Sequence, residues 1–493
     1  RRVLFRSTAD RPAARPVAGT VAGTVARPRA RLLGAAAALV AMALAPPAPA
    51  QQAGRVSVMQ YENGGVYEGT FKDGLRHGQG VYRLPNGFVY EGAWVEGEML
   101  GQGVATFPDG SVYEGGFAQG KPDGTGRITY ADGATYEGAW EDGRKSGRGV
   151  ATYADGSRYE GEFRDGKRHG TGLLVRPDGT RYEGDWAEGE MAGEGRLSYP
   201  DGTVYEGGFI AGVRAGQGRL ETADGLIYEG GWAEGRLHGE GRLVRPDGDV
   251  YEGGFAAGRR EGAGRMEYAD GDVYEGAFAD DLRHGQGTLR GADGFTYEGA
   301  WVEGEMQGEG RITYPDGTTY AGAVAGGRPH GRGTIRYAEG GGYAGEWVEG
   351  TFHGAGRLDY ADGAVYEGAF VAGQPEGRGT LTAPDGYTYE GEWADGRAHG
   401  EGTATYPDGA TYTGSFRDGA RSGQGRYETP AGFVYEGAWA AGEMEGPGTA
   451  RYPNGDVYEG AFSGGEREGE GTLVYASGEE VSGRWEDGRL VEE

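Results

Sequence analysis

The chain contains no cysteine. That removes disulfide frameworks, thiolate zinc sites and cysteine nucleophiles together, and leaves the redox compartment open. Apolar residues are scarce, 37% of 493, below the usual share for a packed globular protein. Positive charge is scarce too: 48 Lys and Arg stand against 76 Asp and Glu, a net charge of −28, so a nucleic acid or an anionic lipid surface meets long-range repulsion. What the chain has in excess is glycine, 106 residues beside 20 Pro. Such a load normally reads as disorder, yet 32 Tyr, 15 Phe and 9 Trp are far too many aromatics for a solvated coil. Only a periodic arrangement reconciles the two.

The first fifty residues differ from the rest. They hold eight Arg and one Asp, net +7, which leaves −35 for the remainder. Arg27, Arg29 and Arg31 precede an apolar run from Leu32 to Ala45, and Pro46-Pro47-Ala48-Pro49-Ala50-Gln51 follows it. A basic flank, a short apolar run and an Ala-x-Ala site make a secretory signal with cleavage after Ala50; the run is too short to span a bilayer comfortably. The expected organisation is a leader at 1–24, a signal peptide at 25–50, a linker at 51–60 and a repeat array at 61–493, in a bacterial protein exported to the periplasm or cell envelope. Retention of the apolar run as an anchor is the alternative.

Tyr recurs every 23 residues from Tyr67 to Tyr458, and Val481 takes the next place. With this Tyr as position 0, Gly occupies position 2 in all 19 copies. Position 4 holds all nine Trp and nine Phe, with Val324 the exception. Further glycines fall at positions 11 and 13, and another stands three residues before each Tyr, usually after Asp. From Phe71 to Phe255 position 4 alternates Phe and Trp, and residues 67–273 and 274–480 form two similar blocks of nine copies. An array of this kind grows by copying because its stability is nearly additive along the chain.

Tyr-Glu-Gly-x-Trp/Phe followed by Gly-x-Gly and an Asp-Gly turn resembles the MORN (membrane occupation and recognition nexus) repeat over residues 61–493. The resemblance implies a non-catalytic interaction or scaffolding module, sometimes attached to membranes or to lipid kinases. Its traditional phosphoinositide association is opposed here by the net charge, since polybasic patches supply the usual attraction to anionic lipid.

The residues predict the fold independently. In the copy around Tyr136, Ile128 and Tyr130 share one strand face, and Tyr136, Gly138 and Trp140 share one on the returning strand. Two short strands with one apolar face make a hairpin, and Ala131-Asp132-Gly133 suits a type I turn closed by a left-handed Gly. Gly at position 2 is expected to let a ring from a neighbouring hairpin lie across the strand, and glycines 11 and 13 to bend the chain between hairpins. The fold class is thus all-β, an elongated single-layer antiparallel β-hairpin solenoid. At about 9.6 Å per copy it would extend about 180 Å before twist and curvature.

Nothing in the pattern singles out a catalytic group. All seven His fall at position 10, one per copy at most, too far apart to share a metal. The Gly-x-Gly pairs lack the helix and Lys-Ser/Thr of a phosphate loop, and one Asp per turn falls short of a calcium shell. No enzyme activity, cofactor or metal is expected. The Glu at position 1, in 15 of 19 copies, makes either a solvated face or an acidic ladder for a partner. Tyr136, Trp140, Tyr182, Trp186, Tyr228, Trp232, Tyr297 and Trp301 form a stripe that is either core or an interaction surface. The leading expectation is an exported scaffold binding a protein partner or itself through the aromatic or acidic face. Cell-envelope glycan binding by the stripe is the rival, and membrane association is disfavoured.

Overall fold

A computed structural model of the chain describes residues 55–491; the expected leader and signal peptide lie outside these residues. Every regular element among the described residues is a β-strand. They belong to two compact units divided between Ala223 and Asp224. The N-terminal unit runs from β1 (Ser57–Gln60) to β15 (Val213–Glu221), and the C-terminal unit from β16 (Ile227–Ala233) to β39 (Arg489–Leu490). Within each unit each strand pairs antiparallel with its neighbours in sequence. The result is an open single-layer meander, as the repeat predicts.

Each copy supplies a seven-residue strand and a nine-residue strand, as in β2 (Val66–Lys72) and β3 (Leu75–Arg83), before the next copy begins at β4 (Val89–Val95). Two turn types alternate. The x-Asp-Gly loop is as expected: Gly133 N–H donates to the Tyr130 carbonyl at 3.0 Å, Ala134 N–H donates to Asp132 Oδ1 at 3.0 Å, and Gly133 has φ +86°. The second turn, at positions 6 and 7, was not anticipated. Asp142 and Gly143 have φ of 50° and 81° between the paired Glu141 and Arg144, the two-residue primed turn that matches strand twist. Gly143 N–H also donates to the Pro122 carbonyl at 2.8 Å, tying each turn to the preceding copy.

Glycines 11 and 13 lie inside a strand and do not bend the chain between hairpins. Gly69 faces Gly80, but Phe71 faces Arg76, so β3 carries two extra residues there. Gly78 takes φ +74° at this bulge, a conformation for which an L side chain is strained. Opposite the interrupted ladder, the position 3 carbonyl accepts the Tyr hydroxyl of its own copy. All eighteen tyrosines make this bond, at 2.6–3.2 Å. To reach it, the ring lies over glycines 2 and 13 of the same copy. A Cβ built on Gly103 would sit 2.5 Å from the Tyr90 hydroxyl oxygen. The ring that crosses the strand therefore belongs to the same hairpin, not to a neighbouring one.

Between β18 (Val250–Ala256) and β19 (Arg259–Glu267), a Cβ on Gly264 would likewise meet the Tyr251 hydroxyl at 2.5 Å. Overpacking of this kind costs about 1–3 kcal/mol. Gly264→Ala is therefore expected to speed amide hydrogen exchange in these two strands roughly ten- to hundredfold. In a Tyr251→Val background, which removes the ring, the same substitution should add little further exchange. Equal increments in both backgrounds would show that the ring does not impose the glycine.

Candidate interaction surface

Within each unit the stripe residues share one face, and all eight are buried. None of Tyr136, Trp140, Tyr182, Trp186, Tyr228, Trp232, Tyr297 and Trp301 is more than 7% exposed. Except beside Val324, each Tyr ring packs edge-to-face on the position 4 ring of its own copy and on that of the next copy in the same unit. Tyr113 lies 5.1 Å from Phe117 and 5.0 Å from Trp140, and Tyr136 lies 5.3 Å from Trp140 and 4.9 Å from Phe163. Such pairs are worth about 0.5–1.5 kcal/mol beyond the area they bury. In eight copies the Trp indole N–H donates to the position 13 carbonyl of the preceding copy at 3.0–3.2 Å.

A single layer cannot bury rings without a cover, and position 9 supplies it. The Arg168 guanidinium lies 4.1 Å over the Trp186 ring while donating to the Gly189 carbonyl at 2.7 Å. Arg76 on Trp94, Arg283 on Trp301, Arg421 on Trp439 and Arg467 on Trp485 repeat the arrangement at 4.1 Å. Elsewhere the cover is Pro, Met, Lys, Leu, Ala or Phe; Phe352, for example, stacks on Tyr343 at 3.9 Å. Sequence reasoning missed these lids. Their signal was present: the residue at position 9 tends to change as the ring it covers alternates between Trp and Phe. With both sides of the rings covered, the stripe offers no free ring face to a ligand.

The opposite face is polar. Paired Gly92 and Gly103, Gly126 and Gly138, and Gly149 and Gly161 leave bare backbone as the floor of a groove of about 1650 Å³ in the N-terminal unit. It runs from β3 to β12 (Arg181–Ala187). Its walls carry Glu91, Glu114, Glu137, Glu160 and Glu183 with Arg127, Arg148 and Arg158, five carboxylates against three guanidiniums. Arg158 pairs with Glu160 at 2.8 Å and Arg181 with Glu183 at 3.0 Å. Glu91, Glu114 and Glu137 make no ion pair among the described residues. Val104, Val150 and Leu173 line the same walls.

A corresponding groove of about 870 Å³ crosses residues 424–470 of the C-terminal unit. In this groove Arg426 pairs with Glu436 at 2.5 Å, and earlier in the same unit Arg242 pairs with Glu252 at 2.8 Å and Arg265 with Glu275 at 3.1 Å. These pairs are half-exposed, so each contributes at most about 1 kcal/mol.

Burial pushes the phenols of Tyr90, Tyr182, Tyr228 and Tyr297 up to about 12 from 10.0, and Tyr136 is raised further for the same reason. Below pH 10 both folded and unfolded chains hold these protons. Between pH 10 and about 12 the unfolded chain loses protons that the folded chain keeps, so stability falls as pH rises. Far-UV circular dichroism and tyrosinate absorbance are expected to change together across this window. Ionisation of all the tyrosines near pH 10 with the sheet signal intact would contradict the buried ring core.

A family model of the MORN repeat matches eighteen tandem segments, from 67–89 to 458–480. No curated protein matches. Among solved structures, the chain is similar to the TCP domain of SAS-4 from Drosophila melanogaster in complex with a proline-rich motif of Ana2. That match has 15% identity, 41% of this chain and 85% of that one covered, and a TM-score of 0.18. It is also similar to the TCP10 domain of Danio rerio CPAP in complex with a STIL peptide, at 14% identity, 64% and 98% coverage and TM-score 0.11. A third is virginiamycin B lyase from Staphylococcus aureus, at 11% identity, 59% and 83% coverage and TM-score 0.11. Likeness this remote carries no argument about a site or a partner. The eighteen matched segments span most of the sequence, and the chain belongs to the MORN repeat family.

Proposed function

We propose that the chain is an exported, non-enzymatic repeat scaffold that binds an extended basic segment of a partner protein along the Glu-bearing groove of its N-terminal unit. Export is supported by the basic flank, apolar run and Ala-x-Ala site that end at Ala50. The absence of an enzymatic role is supported by the repeat itself, since its patterned glycines and aromatics have turn-forming or packing tasks and its patterned glutamates recur alike in most copies.

The observation that carries the binding reading is the row of Glu91, Glu114 and Glu137, one per copy, unpaired beside a backbone floor. Adjacent copies are two strands apart, about 9.6 Å. A polyproline II segment turns once every three residues and rises about 9.3 Å in doing so. Cations at every third residue of such a segment would therefore face successive carboxylates, with Val104 between Glu91 and Glu114, Arg127 between Glu114 and Glu137, and Val150 beyond Glu137. Many equivalent weak contacts then add up through multivalency.

A fluorescent peptide of repeated Arg-Pro-Pro tests the reading by anisotropy. Binding is expected, weakening as salt rises. A Glu91→Lys, Glu114→Lys, Glu137→Lys triple variant should bind at least about tenfold more weakly, since each rim charge is worth up to about 1 kcal/mol. A peptide of the same composition with its arginines clustered should also bind less well. Equal affinity for the triple variant and the unmodified protein would reject the groove as the site.

A further inference from the structure

Two of the departures from the repeat, one in each terminal half-copy, match each other. Position 13 is Gly in each complete copy because the Tyr ring of that copy lies on it. The exception is β1, which pairs with β2 through Ser57 and Gly69, Val58 and Glu68, Met59 and Tyr67, and Gln60 and Val66. That register makes β1 the second strand of a copy, with Ser57 at position 13 and Met59 at position 15. Position 0 is Tyr in each complete copy; the exception is Val481 in β38 (Glu480–Glu486). β38 is therefore the first strand of a copy. It pairs fully with β37 (Glu466–Val474) but meets β39 only through Trp485 with Leu490 and Glu486 with Arg489.

We infer that β38 of one molecule pairs with β1 of a second copy of this chain, so that the two half-copies complete one tile head to tail. β39 supplies positions 8 and 9 and Val491 position 10, while Arg55 and Val56 follow at positions 11 and 12 of the same tile. In the register of every complete copy, Val481 would face Met59, Ser482 would face Val58 and Gly483 would face Ser57. A tyrosine at 481 would place its ring on the Ser57 side chain, where a Cβ meets the ring at about 2.5 Å in other copies, as at Gly103. Valine makes no such demand, and in this structure the Leu490 side chain lies over Gly483 in the place a tyrosine ring takes in other copies. Each departure from the repeat is thus tolerated because of the other.

The two edges also carry apolar surface that such a tile would cover. Met59 is 45% exposed on the β1 side, and Leu490 and Val491 are 37% and 40% exposed on the β38 side. Met59 is open because it lacks the position 0 partner that buries Ile128 and Ile312 at the same place in other copies. A heterologous contact of this kind adds subunits in one direction. It uses sheet edges and is independent of the groove.

The chain's lack of cysteine makes a clean test. Copies carrying Val58→Cys are mixed with copies carrying Ser482→Cys under mild oxidation, with each single variant alone as control. The mixture should give a disulfide-linked pair, and a Val58→Cys, Ser482→Cys double variant should give a ladder of multimers; each single variant alone should give neither. Cross-linking of Val58→Cys alone to a similar extent would mean β1-to-β1 pairing and would overturn the assignment, as would no cross-linking at all.

A compensation experiment reads the same interface without cysteine. In light scattering over a concentration series, Val481→Tyr should weaken association at least tenfold. Adding Ser57→Gly to it should restore association to within about threefold of the unmodified chain. Circular dichroism reports whether each variant remains folded. Unchanged association in folded Val481→Tyr, or no recovery in the double variant, would refute the pairing.

Discussion

The tyrosine ring resting on two facing glycines is the contact on which the rest of the structure depends. Without side chains at positions 2 and 13, the ring lies flat along its own hairpin and its hydroxyl reaches the position 3 carbonyl. That carbonyl is available because the partner strand bulges, and the bulge takes its own glycine in a left-handed conformation at position 11. Three of the five glycines most regular in the repeat follow from placing one phenol. The other two close the turns. A composition that suggests disorder is therefore the composition of a tightly specified sheet.

Placing the rings in this way assigns the two faces different tasks. The aromatic face becomes the core, because each ring is held between its own hairpin, the next copy and a position 9 lid. Full burial of one large aromatic is worth roughly 4–6 kcal/mol by area, and a thin sheet has few other sources of stability. Its other face is freed from packing. Positions 1, 12 and 14 point there, and substitutions at them leave the tile intact. At these positions stand Val104, Val150 and Leu173 in one unit, and in the other Arg242, Arg265 and Arg426 paired with Glu252, Glu275 and Glu436.

The hairpins, their x-Asp-Gly loops and the aromatic face were legible in the sequence because they obey the two-residue alternation of a strand. The bulge was not, for a physical reason. Two extra residues leave the alternation of faces unchanged, so position 9 and position 13 keep the same parity with the bulge or without it. A reader of periodicity sees an unbroken strand and assigns the spare glycines to a bend. The primed turn was hidden differently. At position 6 the chain uses Asp, Glu, Gln, Gly or Ala, and Ala211 and Ala257 adopt positive φ there although alanine gives no turn signal of its own. The stripe stayed ambiguous between core and surface because its lids are arginines and methionines, and an arginine reads as solvated until its guanidinium is found on an indole.

The same contact explains why the ends of such an array matter more than its middle. A Tyr ring shares its surface between the ring of its own copy and the ring of the next, so much of the stabilising energy lies at the boundaries between tiles. An interior tile has two such boundaries; a terminal half-tile has one, and its edge strand also presents unpaired backbone groups. Val324 shows what a lost ring does in the interior: Tyr297 packs on Trp301 but meets no aromatic in the following copy, while both neighbouring strands still satisfy its backbone. At an edge that second support is missing. Exceptions to the repeat are therefore tolerated in the interior for ordinary reasons of packing, whereas at an edge they determine what the sheet can accept as its next strand.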